Sequence, residues 1–201
     1  NPWIGINAIE KSMPILNGLF AMKFPEIDLG ELGKIRGTLC VSKMDAGTAY
    51  NNVPGEAVIW MDRRTVPGEN TPLALAQVNA VIEEARKQDP ELNAHAEIAR
   101  PDWHWQPIRE RGLNPTLMDI DCELYQILER AAKKSGLTTL EKRYSNGYNE
   151  MDFLINDLKI PTLVYGPGDG RMAHSPREEV DIDDVCNVTE VFCNMIEEIC
   201  M

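Results

Sequence analysis

The chain has 201 residues, of which 43% are hydrophobic and 26% charged, and its formal net charge is −12. That composition fits a globular protein of one large or two small domains, and the acidic balance excludes a nucleic-acid partner that needs a basic face for phosphates. No run of about 18 apolar residues is present to span a bilayer and no signal peptide is visible, while five cysteines, an odd number, argue against a disulfide framework and for a reducing, cytoplasmic setting.

Residues 5–22 place Ile6, Ile9, Met13, Leu16, Leu19 and Phe20 at helical spacing, with Asn7 near the start and Pro14 as a point of bending. Two strand-like runs follow at 37–43 and 57–64, joined by a turn-rich loop that holds Gly47, Asn51, Asn52, Pro54 and Gly55. A second helix fits 71–87, with Leu73, Leu75, Val78, Val81 and Ile82 as its apolar side, and 93–99 alternates as a half-buried strand does. Helix, strand, strand, helix, strand is most of a ferredoxin-like α+β unit lacking its first strand. Residues 100–117, with Pro101, Trp103, Trp105, Pro107 and Pro115, have the composition of a connector or hinge.

Beyond the connector the pattern predicts a helix at 122–134, a short strand at 137–140, a helix at 151–158, a strand at 160–165 and a terminal amphipathic helix at 183–199. Alternating helices and strands imply an α/β layer, yet two strands cannot make a sheet covered on both faces, so this half needs strands from elsewhere. Cys186, Cys193 and Cys200 recur every seven residues. On a helix they share one face at about 10 Å per step, too far apart for one metal ion, and they are expected to be small buried hydrophobes.

The chemistry concentrates after the apolar run 160–165. Gly166, Gly168 and Gly170 lie within five residues, and His174 follows them. Glycines there allow positive φ and expose backbone N–H groups to an anionic group, and a neutral imidazole can bind a metal or move a proton. A tight turn and a structural histidine are the simpler alternatives. His95 and His104 are expected to be structural, and Glu150 and Asp152 carry no assigned role.

Taken together, the segment 7–11 (Asn-Ala-Ile-Glu-Lys), the loop 47–57, the strand end Met61-Asp62-Arg63-Arg64 with its Thr-Val-Pro-Gly-Glu sequel, and the loop 165–178 resemble the zinc amidohydrolase family of acetylornithine deacetylase, succinyl-diaminopimelate desuccinylase and carboxypeptidase G. The resemblance covers nearly the whole chain. It implies an α/β catalytic domain, of which residues 113–201 are the C-terminal part, with an inserted ferredoxin-like lid, residues 1–112, that carries a homodimer contact. His174 then stands at the last ligand of a centre of two zinc ions, for which cobalt or manganese can substitute. Glu178 and Asp169 are candidates for fixing its tautomer.

Asn51 and Arg64 stand, by the same resemblance, where the family holds a substrate carboxylate, and Gly166 and Gly168 where backbone N–H groups meet the substrate. A guanidinium fork suits a carboxylate. The alternative for Arg64 is a surface bridge to Asp62 or Glu69, and Arg63 should point to the other face of the strand. The family's remaining ligands, its general base and its lid histidine are expected before residue 1, so no catalytic residue is expected within these 201. The implied activity is hydrolysis of an amide next to a free carboxylate in an N-acyl amino acid. A dipeptidase or carboxypeptidase of the same family, and a non-catalytic dimerisation or ligand-binding module, stay open as alternatives.

Overall fold

The computed structural model describes residues 1–99, 111–145 and 147–201. They form a mixed α/β structure in two compact units, one of residues 1–115 with 144–148 and the other of residues 116–143 with 149–201. Among the described residues no helix is long and apolar enough to cross a membrane.

In the first unit, helix α1 spans Ala8–Ala21 and runs through Pro14. Asn7 caps it: Oδ1 accepts the backbone N–H groups of Ile9 at 3.0 Å and Glu10 at 3.4 Å, and Nδ2 donates to Glu10 Oε1 at 3.0 Å. Those bonds satisfy donors that a helix start leaves orphaned. Helix α2 spans Thr71–Gln88, with Asn70 Oδ1 accepting Leu73 N–H at 2.9 Å. Lys11 of α1 reaches Asp89 at 2.6 Å and Glu91 at 3.0 Å just beyond the end of α2, which ties the two helices together.

Both helices lie on a hairpin. Thr38–Ala46 and Ala57–Arg64, the longest strands, pair antiparallel from Thr38↔Arg64 to Ala46↔Ala57, with a bulge between Val41 and Lys43. Leu39, Val41 and Met61 turn inward against Ile15 and Leu19 of α1 and Val78, Ile82 and Ala85 of α2. Strand alternation dictates the other face, where Val58 and Trp60 are exposed. A second hairpin, Glu26–Asp28 with Lys34–Arg36, has strands of three residues each. Such strands are too short to show a period, so pattern reading passes over them. In chain order the four strands are β1 to β4.

Segment 93–99 departs from expectation. Its burial alternates, and Leu92, Ala94 and Ala96 join the core, but it is not laddered into either sheet. The Arg86 guanidinium takes up its backbone instead, donating to Ala94 O at 2.6 Å and Leu92 O at 3.3 Å. Of the connector at 100–117, residues 100–110 with Trp103, His104 and Trp105 lie outside the described residues.

The second unit is built on helices. α3 spans Glu123–Lys134, α4 spans Met151–Asn156 and α5 spans Ile182–Cys200. Tyr125, Leu128, Ala131 and Ala132 of α3 enclose Val191 of α5, and Leu137, Leu140, Leu163, Tyr165 and Met195 close the cluster. Arg130 with Glu198, Lys134 with Glu197 at 2.9 Å, and Asn194 Nδ2 with Ser135 Oγ at 2.8 Å clamp α3 to α5.

Residues 137–140 and 160–165 were both expected as strands and are not. Leu137, Leu140, Leu163 and Tyr165 pack on the helices while Ile160 and Val164 stay exposed, and among the described residues no neighbouring strand supplies a ladder. Burial orients a side chain, whereas a strand also requires a hydrogen-bonded neighbour. A second correction concerns Cys186, Cys193 and Cys200, which are exposed. Val191 fixes which face of α5 enters the core, and Cys193, two residues on, is about 200° round the helix from it.

Candidate functional site

The sequence-derived site residues fall in both units. Asn51 and Arg64 belong to the first, and Gly166, Gly168 and His174 to the second.

Arg64 ends β4, where its partner in the ladder is Thr38. Period-two alternation sends Arg63 and Arg64 to opposite faces. The Arg63 side chain is 8% exposed and that of Arg64 is 41% exposed. Arg64 grips Asp62, with Nε at 2.8 Å and Nη2 at 2.7 Å from the same Oδ2. This is the surface bridge that the sequence left open, and it also shows the Arg64 fork in contact with a carboxylate on the solvent side. Asn51 sits in the exposed loop after β3, in a turn where Asn52 N–H reaches Ala49 O at 3.2 Å. The far end of that loop is anchored to the start of α1 by Ala8 N–H donating to Pro54 O at 2.8 Å.

Glu69, which the sequence offered as a surface partner for Arg64, pairs instead with Arg63. Its carboxylate is 11% exposed and pairs with Arg63 Nη2 at 2.6 Å through Oε1, while Oε2 accepts Val66 N–H at 3.1 Å. Arg63 also donates to Gln77 Oε1 at 3.1 Å and to the backbone carbonyl of Arg64, and its guanidinium lies 4.0 Å from the Phe24 ring centre. Val66-Pro67-Gly68-Glu69 has the form of a type II turn, with Gly68 at φ 93° and Glu69 N–H bonded to Val66 O at 2.9 Å. The Pro-Gly pair suits that turn, but nothing local signalled which charge Glu69 would meet.

In the second unit, Asp169 opens the loop that carries His174. Its Oδ1 accepts Arg171 N–H at 2.9 Å, its carboxylate meets the Arg171 side chain at 2.6 Å, and Arg143 stands 3.7 Å away. The hydrogen bonds from the Arg171 side chain, then those from its backbone, hold Asp169 well below the usual carboxylate range. The sign follows: a depressed folded value stabilises the loop at pH above the ordinary aspartate value of about 4, and that stabilisation is lost as pH falls through the lowered value. An NMR titration of the side-chain carboxyl carbons should therefore show Asp169 still ionised at pH 3, where solvated aspartates have largely protonated.

His174 is exposed and adopts φ 62°, the left-handed region in which a non-glycine residue is uncommon. Its backbone N–H donates to Glu178 Oε2 at 2.8 Å. Glu178 thus engages the main chain of His174, and Asp169 is held by Arg171, so neither shows the expected bond to the ring. Gly168 also has positive φ, 81°, and a Cβ there would meet Val180 Cγ2 at 3.5 Å. At Gly166 a Cβ would meet nothing within 4 Å, so the backbone there is open to a close neighbour. Glu150 stands at the start of α4, and buried Asp152 accepts from Asn156 Nδ2 at 2.7 Å. His95 is exposed.

A structural zinc takes four protein ligands and a catalytic one about three. Among the described residues there is no group of three or more His, Cys, Asp or Glu side chains able to hold a metal ion. His174 is a single candidate ligand, and these residues do not by themselves fit a metal centre.

With this geometry in hand, comparison with known proteins gives a definite class. The chain belongs to peptidase family M20/M25/M40, whose model matches residues 18–198. It is 24% identical over 163 residues to an acetylornithine deacetylase of Myxococcus xanthus, covering 81% of this chain and 38% of that protein. It is 25% identical over 205 residues to an N-formyl-4-amino-5-aminomethyl-2-methylpyrimidine deformylase of Halalkalibacterium halodurans, covering 98% and 47%. In fold it is similar to the aminopeptidase PepT of Bacillus cereus, with a TM-score of 0.60 at 20% identity, covering 100% of this chain and 47% of that one. The chain spans less than half the length of each.

Proposed function

We propose that the chain forms part of a metal-dependent amidohydrolase that cleaves an amide bond next to a free carboxylate, with an N-acyl amino acid as substrate. The observation that carries the reading is Arg64. It projects a partly exposed guanidinium from the outer face of a strand end, and that guanidinium already engages a carboxylate through two of its nitrogens. A planar fork of this kind selects carboxylates over neutral groups. In this reading Asn51, in the loop at the opposite end of the hairpin from Arg64, adds a neutral amide donor to the substrate, and Gly166 and Gly168 offer backbone N–H groups to the scissile carbonyl. His174 supplies one ligand to a divalent metal, zinc by preference. Residues 1–112 form a ferredoxin-like lid through which the protein dimerises, and residues 113–201 belong to the catalytic domain.

The test is selectivity in the full-length protein. Arg64→Lys conserves charge but not the fork, and should cost about 1.5–3 kcal/mol of transition-state binding on N-acetyl amino acids, the scale of a hydrogen bond to a charged group. The corresponding primary amides, which lack the carboxylate, should be nearly unaffected. Equal loss on acids and amides would make the Asp62 bridge the whole role of Arg64. Faster turnover of dipeptides than of N-acetyl amino acids by the unmodified protein would move the substrate class to peptides.

A further inference from the structure

The geometry points to Arg63 and Glu69 as a positioning pair that sets where Arg64 presents its guanidinium, an inference that rests on the reading of Arg64 as the carboxylate binder. Arg64 has its backbone held from both sides. On the strand side it is paired with Thr38 at the last rung of the hairpin. On the other side, the Arg63 side chain folds back and donates to the Arg64 carbonyl. The Arg63 guanidinium is in turn fixed by Glu69 at 2.6 Å, Gln77 at 3.1 Å and the Phe24 ring at 4.0 Å. Glu69 extends the hold to the next residues, since Oε2 accepts Val66 N–H at 3.1 Å and its own N–H closes the turn onto Val66 O at 2.9 Å. Val66 itself is 2% exposed.

The chain makes room for this pair. Gly37 lies against it, and a Cβ there would come within 2.6 Å of Arg63 Nη1 and 3.1 Å of Glu69 Oε2. An ion pair 8% and 11% exposed carries a desolvation penalty that an apolar pair of the same volume would avoid, so stability alone is a weak reason for it. A directional anchor is a better one. A fork with fixed donors holds a carbonyl, a carboxylate and a side-chain amide in one arrangement, which apolar packing cannot do. The consequence is a rigid strand end beneath an exposed arginine, and recognition depends on such placement to within a fraction of an ångström.

The experiment uses the full-length protein with an N-acetyl amino acid and its primary amide as paired probes. It compares Arg63→Lys, Glu69→Gln and Arg64→Lys, each checked for a cooperative melt above the assay temperature. Lysine keeps the charge opposite Glu69 but cannot also hold the Arg64 carbonyl and Gln77. The expected result is a rise in KM for the acid of roughly tenfold to a hundredfold, the scale of a small misplacement. The amide should change less than about twofold, and Arg64→Lys should give the same pattern. Should Arg63→Lys melt too low, Glu69→Gln decides, because it keeps an acceptor for Val66 N–H while removing the charge that anchors Arg63. If Arg64→Lys is selective for the acid but the Arg63 and Glu69 variants lower acid and amide turnover equally, the pair is structural and the positioning role is overturned. If Arg64→Lys itself shows no selectivity, both the carboxylate reading and the positioning role fall.

Discussion

On the proposed reading of His174 as a metal ligand, His174→Ala in the full-length protein is expected to remove at least about 99% of hydrolytic activity, because loss of a ligand exceeds the 10–100-fold effect of losing a residue that merely orients one. Bound metal should fall with the rate. The fold should survive: His174 is exposed, contributes no side chain to either core, and keeps its loop through a backbone N–H bonded to Glu178. Alanine retains that N–H. The left-handed φ of 62° costs on the order of 1 kcal/mol for any non-glycine residue, so exchanging one for another leaves the strain nearly unchanged. Parallel assays of turnover, metal content by elemental analysis and thermal midpoint separate the roles. Normal metal content with normal turnover would remove His174 from the site, and a collapsed melting transition would make it structural.

The largest effect on stability is expected at Arg63. Arg63→Ala leaves Glu69, 11% exposed, without its cation, and breaking a buried pair from one side typically costs about 3–5 kcal/mol. Loss of the contact with Phe24 adds to it. Arg63→Met with Glu69→Leu should recover most of this, since removing both charges also removes the desolvation penalty. Recovery stops short by about 1 kcal/mol because Val66 N–H then loses its acceptor. Urea denaturation of Arg63→Met, of Glu69→Leu and of the double variant forms a cycle with the parent, and strong non-additivity is the expected outcome. Additive losses would mean that the two side chains contribute independently. The doubly apolar protein also bears on recognition: it should be nearly as stable as the parent, yet poor at distinguishing an acid from its amide.

What the sequence determined by itself is whatever depends on near neighbours along the chain. Among the described residues, helices α1 to α5 were legible within a few residues, because apolar positions recur at 3.6 residues and Asn7 is placed to cap the first of them. The opposite orientations of Arg63 and Arg64 followed from the two-residue period of a strand. Family membership was legible for a similar reason, since loop motifs such as 47–57 and 165–178 are contiguous in the chain.

Tertiary structure decided everything that needs a partner distant in sequence. The alternation of 93–99 and the apolar runs 137–140 and 160–165 show which side chains turn inward, but a strand requires a hydrogen-bonded neighbour, and at Leu92 and Ala94 the carbonyls went to Arg86 instead. The heptad of cysteines determined that Cys186, Cys193 and Cys200 share a face; only the packing of Val191 against α3 determined that the face points outward. Charges behave in the same way. Asp62 and Glu69 were equally plausible neighbours for the paired arginines in the sequence, and it was burial on one side of β4 that gave Glu69 to Arg63 and left Asp62 to Arg64 in solvent. Local periodicity sets the direction in which a side chain leaves the backbone, and only the assembled core sets what it meets there.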